Sequence, residues 1–293
     1  MNIADGKDKG GGPVQMSIEQ FRKKLLDIKE ISTLPHVMVK IMEIITDENS
    51  SAADLAKEIT KDASLTAKIL KIVNSAYYGF YREIVRVSDA VVVLGFNEIR
   101  RLSLAISVLD MFGGRQRERR FKFWTHSFAC AAMCDILSKE QGPYDKGAFT
   151  AGLLHDIGKA ALDQYFSDMF AAVQTCMEDR SLKAHEAERT LFGFDHADIG
   201  YWMCERWNLP VSLSEAIRCH HHPESAQEAP QLARLVHTAD ALVTEFMETK
   251  GAGFFEAGKE QEQNSGFSPE KKAGLLLELQ KRLKDSKGLT SLS

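Results

Sequence analysis

Within the stretch Gly152 to Lys159, GLLHDIGK, an imidazole, a carboxylate and an ammonium follow one another closely enough to share one site. His155 and Asp156 are adjacent, so on a helix their side chains leave about 100° apart. Lys159 comes three positions after Asp156, which puts its ammonium on the carboxylate's side of any helical continuation. Gly158 is expected to end or kink the turn. Taken alone, the stretch equally fits a helix C-terminus with a polar cap and a lysine near its negative dipole end.

The rest of the chain gives these residues company. Eight of the nine histidines lie after residue 112. His126 sits in FKFWTHSFACAAMCDIL, an apolar stretch that reads as a buried helix, and His196 directly follows the capping residue Asp195. His220 and His221 precede Pro223, and His237 and Asp240 share a helix face at i, i+3. His126, His155, Asp156, His196, His220 or His221, and Asp240 therefore form one candidate set spread over separate helices. His36 and His185 are read as hydrogen-bonded helix residues outside it. Imidazoles and carboxylates without thiolates suit one or two divalent transition-metal ions, Fe, Mn, Co, Ni or Zn, better than a structural zinc of the cysteine kind. A carboxylate such as Asp156 can bridge two ions, an arrangement that holds hydroxide at neutral pH and clamps a phosphate ester.

Helices must position these groups, and periodicity places them throughout. Ser17 and Gln20 form a capping pattern before Ile18, Phe21, Leu25 and Ile28. Further helices are expected over 37–45, 52–59, 64–76 with its end at Gly79, 88–94 before Gly95, and 98–111 capped by Asn97. The second half adds helices around His126, over 166–179, over 182–192 ending at Gly193, from His196, from Pro210 and over 232–247. The polar stretch 251–268 reads as a loop, and Pro269 opens a last helix. No alternating run demands a sheet; the β-branched run Val91 to Leu94 is too short to decide. The chain reads as all-α.

The net charge of −4 disfavours a protein held on nucleic acid by counterion release. The two short helices joined at Thr60-Lys61-Asp62 look like a helix-turn-helix, but the second offers Lys68 and Lys71 and no Arg, Asn or Gln placed to read base edges. The basic run FGGRQRERR reads as a linker or helix start between the halves. The five cysteines lack CxxC spacing and read as reduced core residues. No apolar run spans a bilayer and residues 1–15 carry no signal-like segment, so a cytoplasmic protein is expected.

The order H…HD…H…HH…D, with HDIGK in the middle and HTAD at the end, resembles the HD phosphohydrolase superfamily of all-helical metal enzymes acting on phosphate esters of nucleotides. LPHVMVKI, LAKEITKDASLTAKILKIVNSAYYGF and VVVLGFNEIRR are closely similar to the HDOD family, an HD-related output domain of bacterial signal transduction. The resemblance runs from about Ile18 to Met247. It implies a multi-helical HD-like bundle over 113–250, preceded by a smaller helical subdomain over 17–112. Outside these lie a disordered start, 1–16, and a loop and C-terminal helix, 251–293. It further implies that His126, His155, Asp156 and Asp240 hold one ion, that Asp156, His196 and His220 or His221 hold a second, and that Lys159 faces a phosphate, so that Asp156 and Lys159 carry any catalysis. HDOD domains have generally lost such ligands and serve as regulatory modules, whereas this chain keeps a full candidate set. HHHPES is not followed by the GYP signature of the cyclic-di-GMP phosphodiesterase branch. The resulting expectation is a signalling output protein with a retained metal site, whose partner is a signalling protein or a small phosphate-containing ligand rather than nucleic acid or membrane. The alternative is a metal-dependent phosphohydrolase or phosphodiesterase acting on a nucleotide.

Overall fold

The computed structural model describes residues 16–32, 35–46, 50–74, 80–111, 117–141, 147–249 and 267–285. In chain order the helices are α1 (Ile18–Leu26), α2 (Lys29–Ser32), α3 (His36–Thr46), α4 (Ala52–Thr60), α5 (Ala63–Val73), α6 (Val87–Leu94), α7 (Phe96–Met111) and α8 (Arg117–Gln141). They continue as α9 (Ala148–Leu154), α10 (Ile157–Tyr165), α11 (Ser167–Arg180), α12 (Ala184–Phe192), α13 (His196–Arg206), α14 (Val211–Arg218), α15 (Pro230–Thr249) and α16 (Pro269–Asp285). Pro223–Ser225 forms a 3-10 turn, and no strand occurs among the described residues. The fold is all-α, as the periodicity indicates.

Side-chain caps set many of the helix starts. Ser17 and Gln20 form a reciprocal capping box, as do Ser51 with Asp54 and Asp195 with Asp198. Three local expectations are corrected. Helix α5 ends at Val73 rather than running to Gly79; residues 75–79 lie outside the described residues. The Asn74 amide donates to the carbonyls of Leu70 and Ile84 and accepts from the Ile84 N–H, which fastens the chain end of α5 to the segment before α6. Helix α7 begins at Phe96, immediately after Gly95 at φ 90°, so Asn97 lies in the first turn and is not the cap. Gly158 does not end a turn: the break falls at His155 and Asp156, and Gly158 sits inside α10. A Cβ there would stand 2.0 Å from the carbonyl oxygen of His196, so glycine allows α10 to meet the start of α13 backbone to backbone.

Helix α8 is the axis of the second half. From Phe123 to Ser138 most of its side chains are buried, the pattern of a helix surrounded by others rather than lying on a surface. It packs on α9, α15 and α16. Gly152 permits the α8–α9 approach, since a Cβ would meet the Cys134 sulfur at 2.7 Å and the Ala131 backbone at 2.8 Å. Helix α13 packs between α10 and α14 and also receives α1, whose Phe21 ring lies 4.7 Å from Phe166 and 4.5 Å from Phe194. The fully buried Asp135 of α8 gathers Arg101 of α7 at 2.6 Å, Arg282 of α16 at 2.7 Å and Lys139 at 3.2 Å. A buried carboxylate needs such partners, and here they tie three helices together. No described helix is long and apolar enough to cross a membrane.

Candidate metal centre

The donors converge where the ends of α9, α13 and α14 meet the faces of α8 and α15. His126 comes from α8, His155 and Asp156 from the break between α9 and α10, and His196 from the first position of α13. His220 and His221 follow the end of α14, and Asp240 comes from α15. His155, Asp156, His196 and His220 are buried.

The two oxygens of Asp156 divide the set. Oδ2 faces His155 Nε2 at 3.5 Å and His126 Nε2 at 3.7 Å, while Oδ1 faces His196 Nε2 at 3.2 Å and His220 Nε2 at 3.7 Å. On the Oδ2 side, Asp240 Oδ1 completes the group, 3.1 Å from His126 Nε2 and 3.7 Å from His155 Nε2. On the other side His221 Nε2 lies 2.8 Å from His196 Nε2. Both imidazoles left as alternatives, His220 and His221, stand beside His196, with ring nitrogens of all three within 4.8 Å of one another.

Backbone carbonyls and one carboxylate determine which ring nitrogen faces the centre. The Nδ1–H groups of His155 and His220 donate to the carbonyls of Gly152 and Ile217, each at 2.7 Å, so Nε2 carries the lone pair turned inward. His196 Nδ1–H donates to Glu188 at 2.7 Å, and the same carboxylate accepts from the His196 backbone N–H at 2.8 Å. His237 Nδ1–H donates to the His220 carbonyl at 2.7 Å, so this histidine holds the His220 backbone and does not enter the centre. These supports are the kind that orient and tune metal ligands.

Three inward atoms, His155 Nε2, Asp156 Oδ1 and His220 Nε2, are buried and make no hydrogen bond. Leaving such groups unsatisfied is costly. Divalent cations on the two sides of Asp156 would satisfy them, and the imidazole and carboxylate groups fit Fe, Mn, Co, Ni or Zn.

Lys159, with its side chain 12% exposed, places Nζ 2.8 Å from Asp156 Oδ2. Burial pushes the Asp156 carboxyl up, but Lys159, His155 and His196 outweigh it and hold the group well below the usual carboxylate range. Burial likewise opposes the Asp240 charge, which the neighbouring imidazoles of His126 and His155 restore, leaving it well below its ordinary value. For His196 burial favours the neutral ring, yet Glu188 and Asp156 prevail and raise it to about 9. His220 goes the other way, to about 3, through burial and the neighbouring His155 and His196.

Two neighbours went unpredicted. Glu188 lies eight residues before His196 on another helix, a spacing with no local meaning. His185, read as lying outside the set, stacks on His221 with ring centroids 4.0 Å apart at 20°. The i, i+3 pairing of His185 and Glu188 on α12 was the available signal: both belong to one face.

The HDOD domain profile matches residues 31–223. Ribonuclease Y of Geotalea uraniireducens is 33% identical over 119 residues, which are 41% of this chain and 17% of that protein. An HDOD domain protein with unknown function from Geobacter sulfurreducens shares the fold at a TM-score of 0.69 and 24% identity, over 88% of this chain and 87% of that one. A candidate signal transduction protein from Marinobacter aquaeolei VT8 does so at a TM-score of 0.73 and 24% identity, over 88% and 58%. The chain spans only 42% and 17% of the lengths of two curated relatives it matches.

Proposed function

We propose, from the premise that the chain belongs to the HDOD domain family, that it is a signal-transduction output module that binds one or two divalent transition-metal ions and, beside them, a phosphate-bearing ligand or a signalling partner. The observation that carries this reading is the division of donors about Asp156, with its two oxygens turned to two separate groups of imidazoles. His126, His155, Asp240 and Asp156 Oδ2 would hold one ion; Asp156 Oδ1, His196, His220 and His221 would hold the other. Such ions supply charge to polarise a phosphoryl oxygen and to lower the pKa of water. Lys159 is placed to neutralise a non-bridging phosphate oxygen at the same edge. The signalling role is supported by the family match and by the name of the Marinobacter relative.

A second reading, a phosphohydrolase, is favoured by the Lys159 ammonium beside the centre and by the stretch shared with ribonuclease Y, a nuclease by name. One experiment addresses both. Protein purified without chelator is analysed for metal and assayed against generic phosphodiesters and cyclic dinucleotides. The module reading expects bound metal, lost for the most part in Asp156→Ala and kept in Lys159→Ala, with no metal-dependent turnover. Steady hydrolysis by the wild type, lowered roughly 10²-fold or more in Lys159→Ala, decides for the enzyme. Metal-free wild type after reconstitution with Mn and Fe rejects both.

A further inference from the structure

Cys130 lies four residues after His126 on α8, so the two side chains leave the same face of the helix. Its sulfur is buried, yet the neighbours it turns toward include polar atoms: His126 Nε2 stands 3.5 Å away and Asp240 Oδ1 3.9 Å away. These two atoms are 3.1 Å apart, and His155 Nε2 stands 3.7 Å from the same Asp240 oxygen. His155 Nε2 is buried, makes no hydrogen bond and belongs to this group, all of whose donor atoms lie within 4.8 Å of one another.

Four of the six donor pairs have a spacing close to that of a coordination shell. Donors bound tetrahedrally to one ion, nitrogen and oxygen at about 2.0–2.1 Å and sulfur at about 2.3 Å, stand about 3.3–3.6 Å from one another. The four measured edges, from 3.1 to 3.9 Å, scatter about that range. As a thiol hydrogen bond, by contrast, 3.9 Å to Asp240 is long and weak.

We propose that Cys130 is a thiolate ligand of the ion held by His126, His155 and Asp240. The proposal rests on the reading above that an ion binds here, and adds a sulfur donor that the imidazole and carboxylate pattern lacks. On ligation the S–H bond breaks, its proton passes to solvent, and the sulfur lone pair forms the bond to the ion. Sulfur biases this position toward Zn, Fe(II) or Co(II) and against Mn and Mg, which prefer oxygen. With Asp156 Oδ2, which stands 3.5 Å from His155 Nε2 and 3.7 Å from His126 Nε2, the ion would have five donors, and Asp156 would link it to the second group.

The test is optical. Full-length protein, stripped with chelator and reloaded with Co(II), is scanned for a near-ultraviolet thiolate-to-cobalt charge-transfer band. The expected result is a band in the wild type and in Cys204→Ala, and none in Cys130→Ser or Cys130→Ala. Direct titration is expected to weaken Zn binding at least tenfold in Cys130→Ser while leaving Mn binding within a factor of two. Cobalt bound without a sulfur band in the wild type overturns the thiolate ligand and leaves the metal site standing. A band that persists in a folded Cys130→Ser variant also overturns it. No cobalt bound by the wild type overturns both. Because the band is read first on the wild type, a misfolded Cys130 variant cannot shield the claim.

Discussion

The Nδ1–H of His196 is committed to Glu188, which leaves Nε2 to face Asp156 Oδ1 at 3.2 Å and His221 at 2.8 Å. Without metal, this buried ring is raised to about 9, because Glu188 and Asp156 outweigh the cost of burying the charge. A group whose folded pKa lies above its unfolded value stabilises the fold fully below the unfolded value, near 6.5, and loses that contribution as pH rises through the folded one. In chelated protein the wild type should therefore exceed Glu188→Gln in stability at pH 6; the whole shift corresponds to on the order of 3 kcal/mol at 1.36 kcal/mol per unit, of which Glu188 supplies a part and Asp156 another. The gap should close by about pH 9.5. Urea unfolding of both proteins at the two pH values measures it, and a gap that stays constant across the range removes Glu188 as the cause. Metal binding must displace the same proton, so the oriented ring is held ready at a cost that the ion offsets.

Helix placement depends on small residues as much as on large ones. Gly158 was expected to end a turn; instead it lets α10 approach α13 so closely that a Cβ would lie 2.0 Å from the His196 carbonyl oxygen. That contact is with backbone, which cannot swing aside, and it lies between Asp156 and His196, the two residues that face each other across the centre. Gly158→Ala should destabilise the protein by about 1–3 kcal/mol or more, the range for overpacking a closed site, and should lower metal content in the same sample. Denaturant midpoints and elemental analysis give the two values together. Normal stability with full metal would show that α10 can shift without moving the donors. The residues one helix contributes to the site were readable where they fell on one face, as with Lys159 three positions after Asp156. Glu188 and His185 share a face of α12 in the same way, but that this face turns to the centre follows from the packing of α12 on α13 and the stacking of His185 on His221, which no local period encodes.

On the scale of the whole molecule, the centre joins α8, α13, α15 and the α9–α10 break, segments far apart in the chain. An ion bound only by the folded state stabilises all of them together. Chelation at pH 7 should lower Tm by roughly 5 °C or more, as expected for about 2.7 kcal/mol at a hundredfold excess over Kd, and Zn or Co should restore it. The effect should shrink below about pH 6, where imidazoles take up protons and no longer ligate. Scanning calorimetry with and without chelator at both pH values checks this; an equal effect at low pH would exclude coordination through the histidines. The sequence by itself determined the helical fold and the capping of α1 and α13, because these depend on neighbours within a turn or two along the chain. It also named side chains that the structure brings together, since HDIGK and HTAD contain His155, Asp156, His237 and Asp240. Only the tertiary structure decided that Asp156 turns one oxygen to each group, that His221 joins His220, that His237 holds backbone instead, and that the Cys130 sulfur faces the donors. Each of these is a distance between residues remote in sequence, fixed by how the helices pack, and no local period encodes it.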